Sequence, residues 1–139
     1  SDDVLRALGQ SGGMLGFSTY PHHLQGKSDC TLESFCEMIA RTADLMGPEQ
    51  IGIGTDLCTD QSDSVVEWMR VGRWTKEIDY GEGSKSDAGF PPMPSWFRDS
   101  RDFDQIEAGL RAVGMNDTDV AGVMGNNWLR FFDAQFQPA

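Results

Sequence analysis

Ile51-Gly52-Ile53-Gly54-Thr55-Asp56 is a short apolar run closed by a carboxylate. It reads as a strand buried on both faces, of the kind found inside parallel sheets. Immediately before it, residues 31–46 carry Leu32, Phe35, Cys36, Ile39, Ala43 and Met46 at spacings of three or four, the signature of an amphipathic helix. Thr31 opens that helix with Glu33 placed for the helix dipole, and Gly47-Pro48 closes it. Before the helix, Met14-Leu15-Gly16-Phe17-Ser18-Thr19-Tyr20 forms another apolar run, ended by Pro21. Further back, Val4, Leu5 and Leu8 make a helical stripe that stops near Gly9 and the Ser11-Gly12-Gly13 exit. Helix, strand, helix, strand with short connections is the pattern of parallel α/β units.

Beyond Asp56 the pattern loosens. Residues 64–74 are compatible with a helix, and residues 75–94 are rich in Gly, Ser, Asp, Lys and Pro, a long excursion of the kind that is usually functional or mobile. A helix is expected over 103–113, ended by Gly114. Asn116-Asp117-Thr118-Asp119 caps another that carries Val120, Val123 and Met124. Gly125-Asn126-Asn127 interrupts it, and a last helix begins at Trp128.

The chain has 139 residues, 39% of them hydrophobic, enough for one modest domain with a packed core. A formal net charge of −11 repels phosphate backbones, which excludes nucleic acid as a partner and disfavours anionic membrane surfaces. No apolar run approaches the roughly 18 residues that span a bilayer. Ser1, Asp2 and Asp3 are the opposite of the basic start of a secretion signal. Cys30, Cys36 and Cys58 are odd in number and lack C-x-x-C spacing, which points to reduced thiols in a cytoplasmic protein.

Asp56 is the leading candidate for chemistry, because α/β sheets and barrels place their sites at the C-terminal ends of strands. A carboxylate there can bind a metal or move a proton, or it can simply cap the next segment, and position does not choose between these. His22 and His23 follow the other strand at the same end. Adjacent histidines on a strand point to opposite faces, so one site could use both only through a turn; solvated loop residues are the simpler account. Tyr20 either orients a substrate or fills core. Gly52 and Gly54 lack the third glycine of a dinucleotide fingerprint. Trp68, Trp74, Trp96 and Trp128 suit core or anchoring roles better than ligand stacking, and Arg98 and Arg101, interleaved with Asp99 and Asp102, suit a solvated or locally paired stretch.

Four phrases in series carry a family resemblance. Gly12-Gly13-Met14-Leu15-Gly16-Phe17 resembles the "GGvvgv" strand of the membrane (renal) dipeptidases. Ile51-Gly52-Ile53-Gly54-Thr55-Asp56-Leu57 resembles their "vGiGsDfDG" strand. Trp96-Phe97-Arg98-Asp99 with Gly109-Leu110 resembles the segment leading to the "GL..rG" helix, and the run from Gly125 to Phe132 resembles the closing "GgNwLRvf". The resemblance implies a metal-dependent (β/α)₈ TIM barrel of the amidohydrolase type that hydrolyses dipeptides with zinc. It assigns the strands at Met14 and Ile51 to the seventh and eighth positions. The whole chain, residues 1–139, is then one partial domain: the last two βα units and the C-terminal helices. Asp56 becomes the acid/base carboxylate beside the metals and a candidate metal ligand.

Two departures accompany the resemblance. Cys58 stands where the family often has a second Asp, with Asp60 two residues on, and the excursion over 75–94 exceeds that of shorter members. The family's His-x-Asp, bridging Glu and two later His come from earlier strands and have no counterpart here; His22 and His23 do not match them. The chain alone is expected to be incomplete and inactive, and to self-associate along its strand edges. The alternatives are a non-catalytic assembly domain that keeps the barrel's closing elements, and a related amidohydrolase acting on another amide or ester.

Overall fold

The computed structural model describes residues 1–57, 59, 62, 64, 65, 68 and 91–136. The readings placed on Cys58, Asp60, Trp74, most of the 64–74 helix and the bulk of the 75–94 excursion lie outside the described residues.

The chain begins with helix α1, Asp2–Gln10, followed by strand β1, Leu15–Phe17. Two short 3₁₀ turns, Pro21–His23 and Lys27–Asp29, lead to helix α2, Leu32–Met46, and then strand β2, Ile51–Ile53. After the excursion come α3, Phe103–Ala112, and α4, Asp117–Ala121. A π-type segment, Gly122–Asn126, passes into α5, Asn127–Gln135. The two strands pair in parallel, Leu15 opposite Ile51, Gly16 opposite Gly52 and Phe17 opposite Ile53. This β1–α2–β2 unit is the α/β element read from the sequence.

Helix α2 organises the core. Its Thr31 side chain accepts the Ser34 amide at 3.1 Å, the expected N-cap bond. Phe35, Cys36, Ile39, Ala43 and Met46 turn inward and join Phe17, Ile51, Phe97, Ile106, Leu110, Val120 and Val123 in one cluster. Phe17 meets Phe35 edge to face at 6.4 Å, which places α2 on the face of the sheet that carries the side chains of Leu15, Phe17, Ile51 and Ile53. On its other sides α2 packs against α1 and α3. At the first of these crossings a Cβ on Gly9 would come within 2.3 Å of the Met46 carbonyl oxygen, so only glycine allows α1 to approach so closely.

The strands are shorter and less buried than their apolar runs suggest. Gly16 and Gly54 are exposed, while Leu15 and Ile53 are half-buried. Regular pairing stops at Phe17 and Ile53, but further bonds continue across the gap. Gly54 donates its amide to the Phe17 carbonyl and Thr19 donates to the Thr55 carbonyl, each at 3.0 Å. Because Gly54, like Gly52, turns its backbone groups toward β1, those of Ile51 and Ile53 point to the opposite edge.

That outer edge is closed by side chains of α5. Buried Asn127 donates Nδ2–H to the Ile51 and Pro48 carbonyls, both at 2.8 Å, and Trp128 donates Nε1–H to the Ile53 carbonyl at 3.0 Å. The indole lies against the face of the sheet opposite α2. A Cβ on Gly52 would fall 2.4 Å from Trp128 Nε1, and one on Gly16 would fall 3.2 Å from its Cζ2. Two register-paired glycines therefore make the seat for one tryptophan.

Of the two alternatives for the charged residues 98–102, solvation and local pairing, the structure shows pairing. Asp102 is buried; it accepts the Arg98 amide at 2.8 Å and the Arg98 guanidinium at 3.4 Å. These bonds, the backbone one first, hold its carboxyl below the usual range. The Arg101 side chain does the same for Asp99, strongly. A carboxylate with a lowered folded-state pKa stabilises the fold above its unfolded pKa and loses that contribution as pH falls through the folded value. Stability measured by thermal unfolding should thus hold steady down to about pH 4, the ordinary Asp range, and decline below it. Asp102→Asn should flatten part of that decline, and an unchanged acid slope in the variant would contradict the assignment.

Candidate active site at the strand ends

Past Phe17 and Ile53 the two strands end side by side, and hydroxyl groups bind them together. The Thr55 carbonyl accepts the Thr19 amide and the Thr19 Oγ1 hydroxyl, both at 3.0 Å, with Ser18 Oγ at 3.4 Å. Thr55 Oγ1 in turn accepts the Leu57 amide at 3.2 Å. Asp56 lies between these anchors. Its φ is +53°, in the left-handed region that non-glycine residues enter uncommonly and Asp and Asn enter most readily. The backbone turns sharply here, and the carboxylate is exposed at the C-terminal end of β2.

From β1 come Ser18, Tyr20, His22 and His23. The turn needed for the two histidines to share a neighbourhood exists, the 3₁₀ turn Pro21–His23. Both rings lie against Tyr20, His23 edge-on at 5.2 Å and His22 tilted at 5.7 Å. Tyr20 is half-buried, so its ring supports the histidines rather than filling the core. Ser18 Oγ accepts the Tyr20 amide at 3.0 Å and lies 3.1 Å from His23 Nδ1. Ser18 has one hydroxyl proton. When that proton serves Thr55, His23 carries its own at Nδ1 and presents Nε2 as a lone pair able to accept a proton or bind a cation.

Ser18, Thr19 and Thr55 join the expected Asp56, Tyr20, His22 and His23 at these strand ends. Their signal was present: hydroxyl residues occupy the last positions of both runs, where the regular ladder gives out and carbonyls need other donors. Trp96 is buried and Trp128 half-buried, while Trp68 is exposed.

Cys30 and Cys36 are buried free thiols. Burial raises both, and the neighbouring Cys30 adds to the effect at Cys36, which is pushed up to about 12. Neither is a nucleophile at neutral pH.

A parallel α/β unit with a carboxylate turned out at a strand end is compatible with many chemistries, and comparison with known proteins narrows them. Residues 1–76, more than half the chain, match the membrane dipeptidase family (peptidase family M19), and the chain belongs to that family. The structure is similar to the crystal structure of an amidohydrolase from Pseudomonas aeruginosa, with a TM-score of 0.79 and 26% sequence identity. That similarity covers 96% of this chain and 39% of the amidohydrolase, so this chain spans well under half of its neighbour's length. No curated protein matches.

Proposed function

We propose that this chain supplies the closing part of a (β/α)₈ barrel, residues 1–139 forming one partial domain, and that the complete protein hydrolyses the peptide bond of small dipeptides. The observation that carries this reading is Asp56, turned out by a left-handed backbone at the C-terminal end of a parallel strand. β1 and β2 take the seventh and eighth barrel positions. Family membership and the 39% share of the amidohydrolase support a chain that forms part of a larger fold.

In this reading Asp56 takes a proton from the water that attacks the scissile carbonyl. It then delivers that proton to the leaving amine nitrogen as the C–N bond breaks. Tyr20 lines the substrate side of the same rim. Zinc is the metal implied by the family resemblance, with Asp56 a candidate ligand. Among the described residues no three His, Cys, Asp or Glu side chains converge, whereas a catalytic zinc needs at least three protein ligands. The described residues therefore do not fit a whole zinc site.

The buried thiols of Cys30 and Cys36 favour a reducing, cytoplasmic setting. Among the described residues no helix is long and apolar enough to cross a membrane. The amidohydrolase neighbour favours a second reading, hydrolysis of a different amide by the same carboxylate.

A panel of L,L- and L,D-dipeptides together with N-acyl amino acids tests both readings. This chain alone should neither retain a tightly bound zinc pair nor turn over any of them. The polypeptide joined to the remaining barrel should hydrolyse dipeptides. Turnover of the acyl amino acids alone would favour the second reading, and stoichiometric zinc with turnover in the chain alone would overturn the partial-domain assignment.

A further inference from the structure

We infer that Thr19 is a positioning residue for Asp56, holding the left-handed backbone that turns the carboxylate out at the rim. The inference rests on the reading of Asp56 as the proton carrier. The Thr55 carbonyl and the Asp56 amide nitrogen belong to one planar peptide unit. Whatever fixes that carbonyl fixes the plane from which the φ of Asp56 is set. Thr19 fixes it twice, through its amide and its Oγ1 hydroxyl, both at 3.0 Å. Two donors fill the two lone pairs of the oxygen, and Ser18 Oγ adds a longer contact at 3.4 Å. The peptide unit on the far side of Asp56 is held as well, since Thr55 Oγ1 accepts the Leu57 amide at 3.2 Å. Asp56 is thus clamped between two anchored planes at a φ of +53°. Residues other than glycine are disfavoured in that region, and rotation of the Thr55–Asp56 plane is the way out of it.

These bonds do not involve the outer edges of the sheet. They join β1 to β2 just past the ladder that ends at Phe17 and Ile53. In the barrel proposed above the two strands are the seventh and eighth and remain neighbours. The sixth and first strands would then add partners on the far sides and leave this junction as it is.

Packing alone does not account for the hydroxyl. Thr19 is fully buried, and a valine of the same branched shape would avoid desolvating an O–H group. The oxygen to which that group is committed is the one whose plane sets the backbone of Asp56.

Two variants separate positioning from packing. Thr19→Val keeps the shape and removes the donor, whereas Thr19→Ser keeps the donor and loses a methyl group. In the complete enzyme Thr19→Val should lower kcat about tenfold at unchanged KM, since a small displacement of a reacting group costs rate rather than binding. Thr19→Ser should keep a kcat near the parent value. Thermal stability should run the other way, with the Val variant at or above the parent and the Ser variant below it, because the lost methyl leaves a void. In this chain the intraresidue amide–Hα Overhauser cross-peak of Asp56, strong at positive φ, should weaken in Thr19→Val and persist in Thr19→Ser. Added to Asp56→Asn, Thr19→Val should lower the rate no further. Parent kcat in Thr19→Val, rates that follow stability across the two variants, or an equal further loss in the Asp56→Asn background would each overturn the inference. Full turnover in Asp56→Asn alone would instead strike the proposed role of Asp56 itself.

Discussion

Asp56→Asn in the complete enzyme should lower turnover by on the order of 10²-fold or more, the usual contribution of a positioned acid/base group. The substitution is a clean test for a structural reason. Asn is the other residue at home in the left-handed region, so the φ of +53° is kept without added strain. The carboxylate is exposed at the rim and supports no packing, so folding should be intact. What changes is the ability to hold a proton. Steady-state kinetics on a dipeptide, with metal content measured on the same sample, decide the matter. Turnover near the parent value with metal retained would remove Asp56 from the chemistry. Asp56→Ala is a poorer probe, because it adds a backbone penalty of about 1 kcal/mol at a left-handed position.

The second large effect concerns assembly. This chain on its own should form dimers, and the edge geometry says which edge joins. The outer edge of β2 is occupied at Ile51 and Ile53 by Asn127 and Trp128. The outer edge of β1, the backbone of Met14, Gly16 and Ser18, has no backbone partner among the described residues. An unpaired edge recruits another strand. With one such edge per chain, two copies related by a two-fold axis complete each other and growth stops at the pair. The aromatic face of α5, where Leu129 and Phe136 are 65% and 75% exposed, adds apolar surface that association would cover. Opposing it is the net charge of −11 on each copy, so dimerisation should strengthen with salt as that repulsion is screened. Sedimentation across a concentration series at two ionic strengths is the measurement. A monomer at every concentration and salt would show that the β1 edge needs no partner. Supplying the remaining barrel should abolish the dimer by occupying the same edge.

Much of the fold was legible because it is written in local periodicity. The stripe from Phe35 to Met46 is the core face of α2, and Thr31 and Gly47 bound that helix as read. The parallel unit follows from strand runs on either side of a helix. The ends of the strands were less legible: runs expected to extend to Tyr20 and Asp56 keep a regular ladder only to Phe17 and Ile53. Ser18, Thr19 and Thr55 compete for the carbonyls with their hydroxyls there, and no hydropathy pattern reports such competition.

The site was legible to the same degree. Asp56 could be located from its strand-end position, but its left-handed backbone could not, since the residue is not glycine. The seat of Trp128 was hidden for another reason. It touches Gly52 and Ile53, some 75 positions away in the chain, and contacts so distant leave no periodic trace. The paired glycines were visible as residues, but the indole that requires them was not.

The fastening of residues 91–102 also bears on how this protein can change. Trp96 donates Nε1–H to the Cys30 carbonyl at 2.7 Å and its ring lies 5.0 Å from Phe35. Asp102 then ties back to Arg98 before α3 begins. The strand pair and residues 91–102 are thus secured independently, one by the β1–β2 ladder and the other by a buried indole. A change at Trp96 is therefore expected to loosen residues 91–102 from α2 while the pairing of β1 with β2 stays intact.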